Sequence, residues 1–267
     1  MTVSISSIKA EAKSALKGKW IMAIIAALTF LFSFLIIQNS AYPLSFAVGD
    51  TAATIIMYVL MFVVCFPLLL GVMRYYWRIF GGADETPVAV FYYFSEFSLF
   101  FKALKLWLML FLRIALHALV FYLPTIAIYV ISAPEFYRFI DTAIPIWSQN
   151  LSAILSFFSS ISFALVVVST IKFYLSPILI IADDKMDLEE AIHMSSVISK
   201  TSLTDFIFLL LSLLGWILLS VLFIPLIITL PYFLMCYTVH SFYSIKDYNE
   251  KIKRLNEESF PSFVAGV

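Results

Sequence analysis

The sequence predicts an all-α membrane protein, a bundle of about six transmembrane helices with short cytoplasmic amphipathic helices. Apolar residues make up 63% of the 267 residues and charged residues 13%, whereas soluble chains contain about 45–50% and about 25%. A soluble fold of this length could not bury so much apolar surface. Long uncharged runs recur along the chain, and most basic residues lie between them, as in polytopic membrane proteins.

The predicted spans cover residues 20–37, 52–72, 106–131, 152–177, 206–222 and 227–243, between a cytoplasmic N-terminal segment (1–19) and a cytoplasmic tail (244–267). We expect Pro67 to bend the second span. Residues 206–243 carry no charge and as one helix would be about 57 Å long, beyond the roughly 30 Å hydrocarbon core. We therefore predict a turn near residues 223–226, with Pro225 and Pro231 as helix breakers.

The distribution of basic residues supports six spans. With that number, fourteen Lys and Arg side chains fall on one side of the membrane, and the other side holds only Arg138. The fourteen are Lys9, Lys13, Lys17, Lys19, Arg74, Arg78, Lys102, Lys105, Lys185, Lys200, Lys246, Lys251, Lys253 and Arg254. The positive-inside rule then places both termini in the cytoplasm.

Three segments outside the spans have patterns of their own. Residues 86–101 are rich in aromatic side chains, and we expect them in the cytoplasmic interface. Residues 187–200 begin with an Asp-x-x-Glu capping pattern and predict a short cytoplasmic helix. Residues 245–255 carry an apolar stripe with Glu250 and Arg254 four apart, which predicts a helical tail.

Arg113 and His117 lie four residues apart in the third span and therefore share one helix face. A charged residue inside a span is a functional-site hypothesis. The favoured interpretation is simpler: if the span covers residues 114–131, Arg113 lies at its cytoplasmic edge and snorkels. The alternative is a deep Arg113, which would need a backbone carbonyl, a lipid phosphate or an anionic ligand as its partner, because the spans contain no acidic residue.

Lys172 presents the same choice. It lies at the cytoplasmic end of a span over residues 152–171, yet the apolar run continues to residue 182 past Pro177. A simple kink is the favoured interpretation, and a broken helix lining a binding cavity is the alternative.

The fourth span carries small residues at every fourth position: Ser152, Ser156, Ser160 and Ala164. This stripe predicts close packing against another helix, with a polar pathway as the alternative.

No other pattern indicates catalysis or a cofactor. We interpret the carboxylates at 183, 184, 187, 189 and 190 as a solvated loop and helix cap rather than a Mg²⁺ or Ca²⁺ site, since no loop glycine lies among them. The three histidines lack metal-ligand spacing, and Cys65 and Cys236 form no CxxC pair. No phosphate-binding or nucleophile motif occurs. The zero net charge argues against a nucleic-acid partner.

Short motifs in a fixed order resemble the bacterial multi-pass membrane proteins grouped as domain of unknown function 975. They are Leu16 to Trp20 (LKGKW), Gly71 with Arg74 and Tyr75, Tyr174 with Ser176 and Pro177, residues 180–184, Glu190 with Ala191, Ser195 or Ser196, Leu211 with Ser212, Gly215 with Trp216, Pro231 with Tyr232, and Phe242 with Tyr243. The chain departs from the family pattern at residues 166–171 and 200–205, where members tend to have Ile-Pro-Gly-Ile and a Gly and Lys. The resemblance implies a bacterial cytoplasmic-membrane protein and supplies no catalytic residue.

The leading functional hypothesis is a non-enzymatic structural, regulatory or accessory component of that membrane, with the lipid bilayer and an envelope protein as expected partners. The alternative is a carrier or lipid-binding protein for an anionic molecule that uses Arg113, His117 and Lys172. It predicts that these three residues converge on one water- or lipid-filled cavity, and it fails if they face separate directions or the headgroup layer.

Overall fold

The computed structural model describes residues 4–131, 145–219 and 223–259, and across these ranges the chain is helical without a β-strand. Six of the described helical segments are long and apolar enough to cross a membrane, which confirms the predicted all-α polytopic class. They are Trp20–Val48, Asp50–Phe80, Phe97–Val130, Leu151–Ala182, Leu188–Leu219 and Pro225–Arg254. The chain divides into two compact units, one of Met1–Trp107 with Leu175–Val267 and one of Leu108–Tyr174.

The described α-helices are α1 (Ile5–Leu16), α2 (Trp20–Val48), α3 (Asp50–Leu60), α4 (Phe66–Phe80), α5 (Phe97–Ile131), α6 (Pro145–Thr170), α7 (Ser176–Ala182), α8 (Leu188–Leu219) and α9 (Phe223–Ser259). A π-helix, Met61–Cys65, joins α3 to α4. Two 3₁₀-helices, Pro87–Phe94 and Ile171–Phe173, precede α5 and follow α6.

In the first unit, α2 and α3 form a hairpin that turns at Gly49. Gly49 has a φ of 83°, which glycine adopts without steric cost. α2 extends to Val48, past the predicted end of the span at residue 37. Asn39 and Ser40 donate hydrogen bonds to the carbonyls of Leu35 and Ile37, so these polar residues do not end the helix.

The irregularity expected at Pro67 is a π-helix over Met61–Cys65, directly before α4. Pro67 has no N–H to donate to residue 63 of this π-helix, so the irregularity lies where the proline removes a helical hydrogen bond.

The core of the first unit is built around α1, α4 and α9. The amphipathic α1 buries Ile8, Ala12 and Leu16 against this core. Tyr76 is buried in α4, and its hydroxyl donates to the carbonyl of Ala23 at 2.8 Å. Burial of this apolar face, rather than helix propensity alone, holds the twelve residues of α1 in place.

The aromatic segment before α5 forms a 3₁₀-helix that packs on α4. Val90 and Tyr93 are buried, whereas Val88 and Phe91 are exposed, as expected from three residues per turn. Burial raises the pKa of the Tyr93 hydroxyl well above its usual value, and nearby Asp184 adds to the rise. The hydroxyl therefore stays neutral at physiological pH.

The prediction of a separate short helix at residues 187–200 is wrong, because α8 continues from Leu188 to Leu219. Its start is as predicted: an Asp187 carboxylate oxygen accepts a hydrogen bond from the backbone N–H of Glu189 at 3.1 Å. Thr201 and Ser202 donate to the carbonyl of Ile198. Their hydroxyls are satisfied within the helix, so this polar stretch does not interrupt it.

The turn predicted near residues 223–226 is also misplaced, because α9 already begins at Phe223. Pro225 lies in its first turn, where proline is tolerated. α8 ends at Leu219 and packs against α9, and residues 220–222 lie outside the described ranges. α9 includes the predicted helical tail, in which Arg254 pairs with Glu250 at 3.8 Å.

The break expected at Pro177 occurs a few residues earlier. α6 ends at Thr170, the 3₁₀-helix Ile171–Phe173 follows, and α7 starts at Ser176 with Pro177 in its first turn. Pro177 thus starts the next helix rather than kinking a continuous one. Arg138 lies outside the described residues.

Candidate functional site

Arg113 and His117 lie on one face of α5, as predicted. A hydrogen bond joins the His117 side chain to the backbone of Arg113. The Nδ1 atom of His117 lies 2.7 Å from the carbonyl oxygen of Arg113. Because a carbonyl oxygen only accepts, Nδ1 carries the proton of this bond. Nε2 of a neutral ring is then left as an acceptor, and it becomes a donor when the ring is protonated.

Lys172 is positioned by the helical break after α6. It lies in the 3₁₀-helix Ile171–Phe173, which closes with a hydrogen bond from the N–H of Tyr174 to the carbonyl of Ile171. The next residue, Phe173, is 7% exposed, whereas Lys172 is half-buried. In this 3₁₀-helix the buried Phe173 ring therefore lies next to the Lys172 cation.

The structure brings all three predicted basic residues to the ring of Phe173. The Arg113 Cζ atom lies 5.9 Å from the ring centroid and the Lys172 Nζ atom 5.1 Å from it. The His117 ring meets Phe173 edge to face, with centroids 6.1 Å apart. We call Arg113, His117, Lys172 and Phe173 the Phe173 cluster.

Two cations of the Phe173 cluster, Arg113 and Lys172, lie near one ring. Each cation gains about 0.5–1 kcal/mol from the negative ring face at a partly exposed site, but two cations on one ring also repel each other. Helices α5 and α6 and residues 171–174 contain no Asp or Glu. Within the described part of the chain Arg113 forms no ion pair, and it is half-buried.

The chemistry that this arrangement can supply is recognition of an anion. Arg113 offers planar N–H donors that match a phosphate or carboxylate, and Lys172 offers a compact positive charge. His117 adds a second donor when protonated. The cluster contains no carboxylate and no hydroxyl or thiol group.

The predicted serine stripe is exposed. Ser152, Ser156, Ser160 and Ala164 are all accessible on α6, and Ser156 and Ser160 border an open groove of about 580 Å³ that Thr125 of α5 also lines. Instead, Ser162 of α6 contacts α5, and no sequence pattern distinguishes it from the other serines. Ser162 is 3% exposed and donates to the carbonyl of Phe121 at 2.8 Å.

The remaining polar candidates are the carboxylates around the start of α8 and the other two histidines. Asp183 and Asp187 accept backbone hydrogen bonds in the loop and at the start of α8. His193 is exposed, and His240 is buried against the ring of Phe206, with centroids 5.4 Å apart. No group of three His, Cys, Asp or Glu side chains among the described residues is placed to hold a metal ion.

Phe173 itself was not identified from the sequence, since it is one of 27 phenylalanines. Only the tertiary structure distinguishes it, by the cations around its ring. Comparisons with protein-family models, curated proteins and solved structures found no match to the chain.

Proposed function

We propose that the chain is a non-enzymatic, multi-pass component of a bacterial cytoplasmic membrane whose Phe173 cluster binds an anionic, phosphate-bearing molecule. In this proposal both termini are cytoplasmic, and the chain belongs with the domain of unknown function 975 proteins that its motifs resemble. The observation that carries the binding role is the meeting of Arg113, Lys172 and His117 at one ring.

An anion would offset the repulsion between the two cations at Phe173. Charged groups in membrane-spanning helices are costly and are retained where they pair. Arg113 forms no ion pair with the described residues, and its helix α5 contains no carboxylate. Two oxygens of a phosphate would accept the two parallel hydrogen bonds of Arg113, and a phosphate oxygen would accept a charge-assisted bond from Lys172.

The phosphate has two possible sources: an anionic lipid headgroup, which reaches the site from the bilayer, or a soluble phosphate compound, which reaches it from water. Both present the same oxygens to the cluster. A carrier and a lipid-regulated accessory protein would share this first binding step.

Binding measurements on the Arg113→Gln variant test the proposal. The protein is placed in phosphatidylcholine discs and titrated separately with phosphatidylglycerol and with inorganic phosphate, with bound ligand counted by native mass spectrometry. Loss of a charged hydrogen-bonding partner costs about 1.5–3 kcal/mol, so we expect affinity to fall about tenfold or more. Saturation by the lipid alone identifies a headgroup site, and saturation by phosphate alone identifies a soluble ligand.

Lys105→Gln is the matched control, because it removes an exposed positive charge from the same helix outside the Phe173 cluster. Equal weakening by Lys105→Gln and Arg113→Gln would indicate a general charge effect and overturn the proposal. Absence of stoichiometric binding in both titrations would also overturn it and leave the snorkelling interpretation of Arg113.

A further inference from the structure

A pocket in the first unit is lined by residues of α1, α2, α8 and α9. It has a volume of about 280 Å³ and is lined by Lys13, Trp20, Trp216, Ile228, Thr229 and Tyr232. These residues belong to the first unit, and none of them is part of the Phe173 cluster.

Thr229 is the unusual residue of this pocket. It is 7% exposed, and its hydroxyl has no hydrogen-bond partner in the described part of the chain. A buried hydroxyl without a partner costs about 1–3 kcal/mol, and native proteins rarely retain one without a reason. An oxygen acceptor on a bound molecule would satisfy it.

Lys13 supplies the charge of the pocket. It is exposed on α1 and forms no ion pair or hydrogen bond with the described residues. Its helix is fixed in place: Tyr243 donates to Glu11 at 2.8 Å, and Lys9 donates to the carbonyl of Ser212 at 2.9 Å. The Lys13 ammonium is therefore held near the pocket, and none of the described residues that line it carries a carboxylate.

The other lining groups are mostly apolar. Trp20 and Tyr232 are half-buried, whereas Trp216 and Ile228 are each 51% exposed. Since Trp216 and Ile228 lie on helices of membrane-spanning length, the outer part of the pocket suits a hydrocarbon chain. Tryptophan and tyrosine are the residues that proteins place where acyl chains meet polar groups.

We propose that the Thr229 pocket binds an amphipathic anion, an acyl chain that ends in a carboxylate or phosphate. The Lys13 ammonium pairs with the anionic head, the Thr229 hydroxyl donates a hydrogen bond to one of its oxygens, and the chain lies along Trp216 and Ile228. Two sources share this chemistry, a free fatty acid and an anionic phospholipid.

Quenching of tryptophan fluorescence by brominated lipids tests the proposal, because Trp20 and Trp216 line the pocket. Full-length protein in phosphatidylcholine discs is titrated with dibromostearate, dibromo-phosphatidylglycerol and dibromo-phosphatidylcholine. We expect saturable quenching with one or both anionic probes and only linear, unsaturable quenching with the neutral one. The anionic probe that saturates identifies the source.

Two variants separate binding from folding. Lys13→Gln is expected to weaken the saturable quenching at least fivefold, and the near-isosteric Thr229→Val at least threefold. Without added anionic lipid, Thr229→Val should leave the melting temperature unchanged or raise it, because it removes a buried hydroxyl that has no partner. Lys17→Gln, which removes another exposed charge from the region following α1, should bind as the wild type does.

Saturation with dibromo-phosphatidylcholine would overturn the proposal, because the charge of Lys13 would then have no role. Unchanged affinity in both Lys13→Gln and Thr229→Val would also overturn it. A Thr229→Val variant with altered melting temperature but wild-type affinity would assign Thr229 a structural role and contradict its place in the site.

Discussion

Gly71 lies where α4 touches the 3₁₀-helix Pro87–Phe94, and its missing side chain sets the distance between them. A Cβ atom there would stand 1.8 Å from the carbonyl oxygen of Val90, which is backbone and has little freedom to move. One turn along α4, the Arg74 guanidinium lies 3.6 Å from the centroid of the Tyr92 ring. A close backbone approach and a cation–π contact therefore hold this segment on α4.

Gly71→Ala is expected to destabilise the protein, because the added methyl group must push the two segments apart. Overpacking of this kind costs about 1–3 kcal/mol, which should appear as a lower melting temperature in detergent. Gly215→Ala is the matched control: its Cβ would meet nothing within 4 Å, and alanine favours the helix. A Gly71→Ala protein as stable as the Gly215→Ala protein would disprove the close packing.

Phe173 and Ser162 could not be identified from residue patterns, whereas Arg113 and His117 could. Arg113 and His117 were identified because intramembrane basic residues are rare and their spacing is helical. Phe173 carries no such signal, and Ser162 is not distinguished from the other serines of α6. Each acquires its significance from a partner distant in sequence, which periodicity does not record.

At the scale of elements, the cap of α8 followed from local chemistry, whereas the length of this helix did not. Asp187 precedes Leu188 and accepts the hydrogen bond that a helix start requires. The polar stretch after Lys200 suggested a boundary, but its hydroxyls bond within the helix. Polarity alone therefore does not end a helix when the side chains satisfy their own hydrogen bonds.

Asp187→Ala is expected to lower stability by about 1 kcal/mol, because it leaves the N–H of Glu189 without its side-chain acceptor. Thermal unfolding followed by circular dichroism would measure the loss. Asp187→Asn serves as control, since asparagine caps helices about as well as aspartate. If the two variants were equally destabilised, charge rather than capping would be the contribution of Asp187.

At the scale of the whole molecule, the six described segments of membrane-spanning length agree with the even number that the basic residues require. The helix bounds exceed the predicted spans at several ends, for example at Val48 and Phe97. Hydropathy indicates where a helix crosses the hydrocarbon core. The helix itself continues for as long as its residues form intrahelical backbone hydrogen bonds.

Labelling of single introduced cysteines with a membrane-impermeant maleimide tests the predicted orientation. In intact cells we expect Asn39→Cys and Ser148→Cys to react, and Asn256→Cys to react only after permeabilisation. The native Cys65 and Cys236 are buried, so their background labelling should be low. Reaction of Asn256→Cys in intact cells would contradict both the cytoplasmic C-terminus and the six-span topology.

The sequence by itself determined the class of this protein, its number of candidate spans and the shared face of Arg113 and His117. These properties depend on hydropathy and helical periodicity, which residues near each other in the chain determine. The tertiary structure decided that Lys172 and Arg113 both lie near the Phe173 ring and that the Val90 backbone packs directly against Gly71. It also decided that the buried Thr229 hydroxyl has no hydrogen-bond partner among the described residues. Those contacts depend on how separate helices pack, and packing is fixed by side chains far apart in sequence.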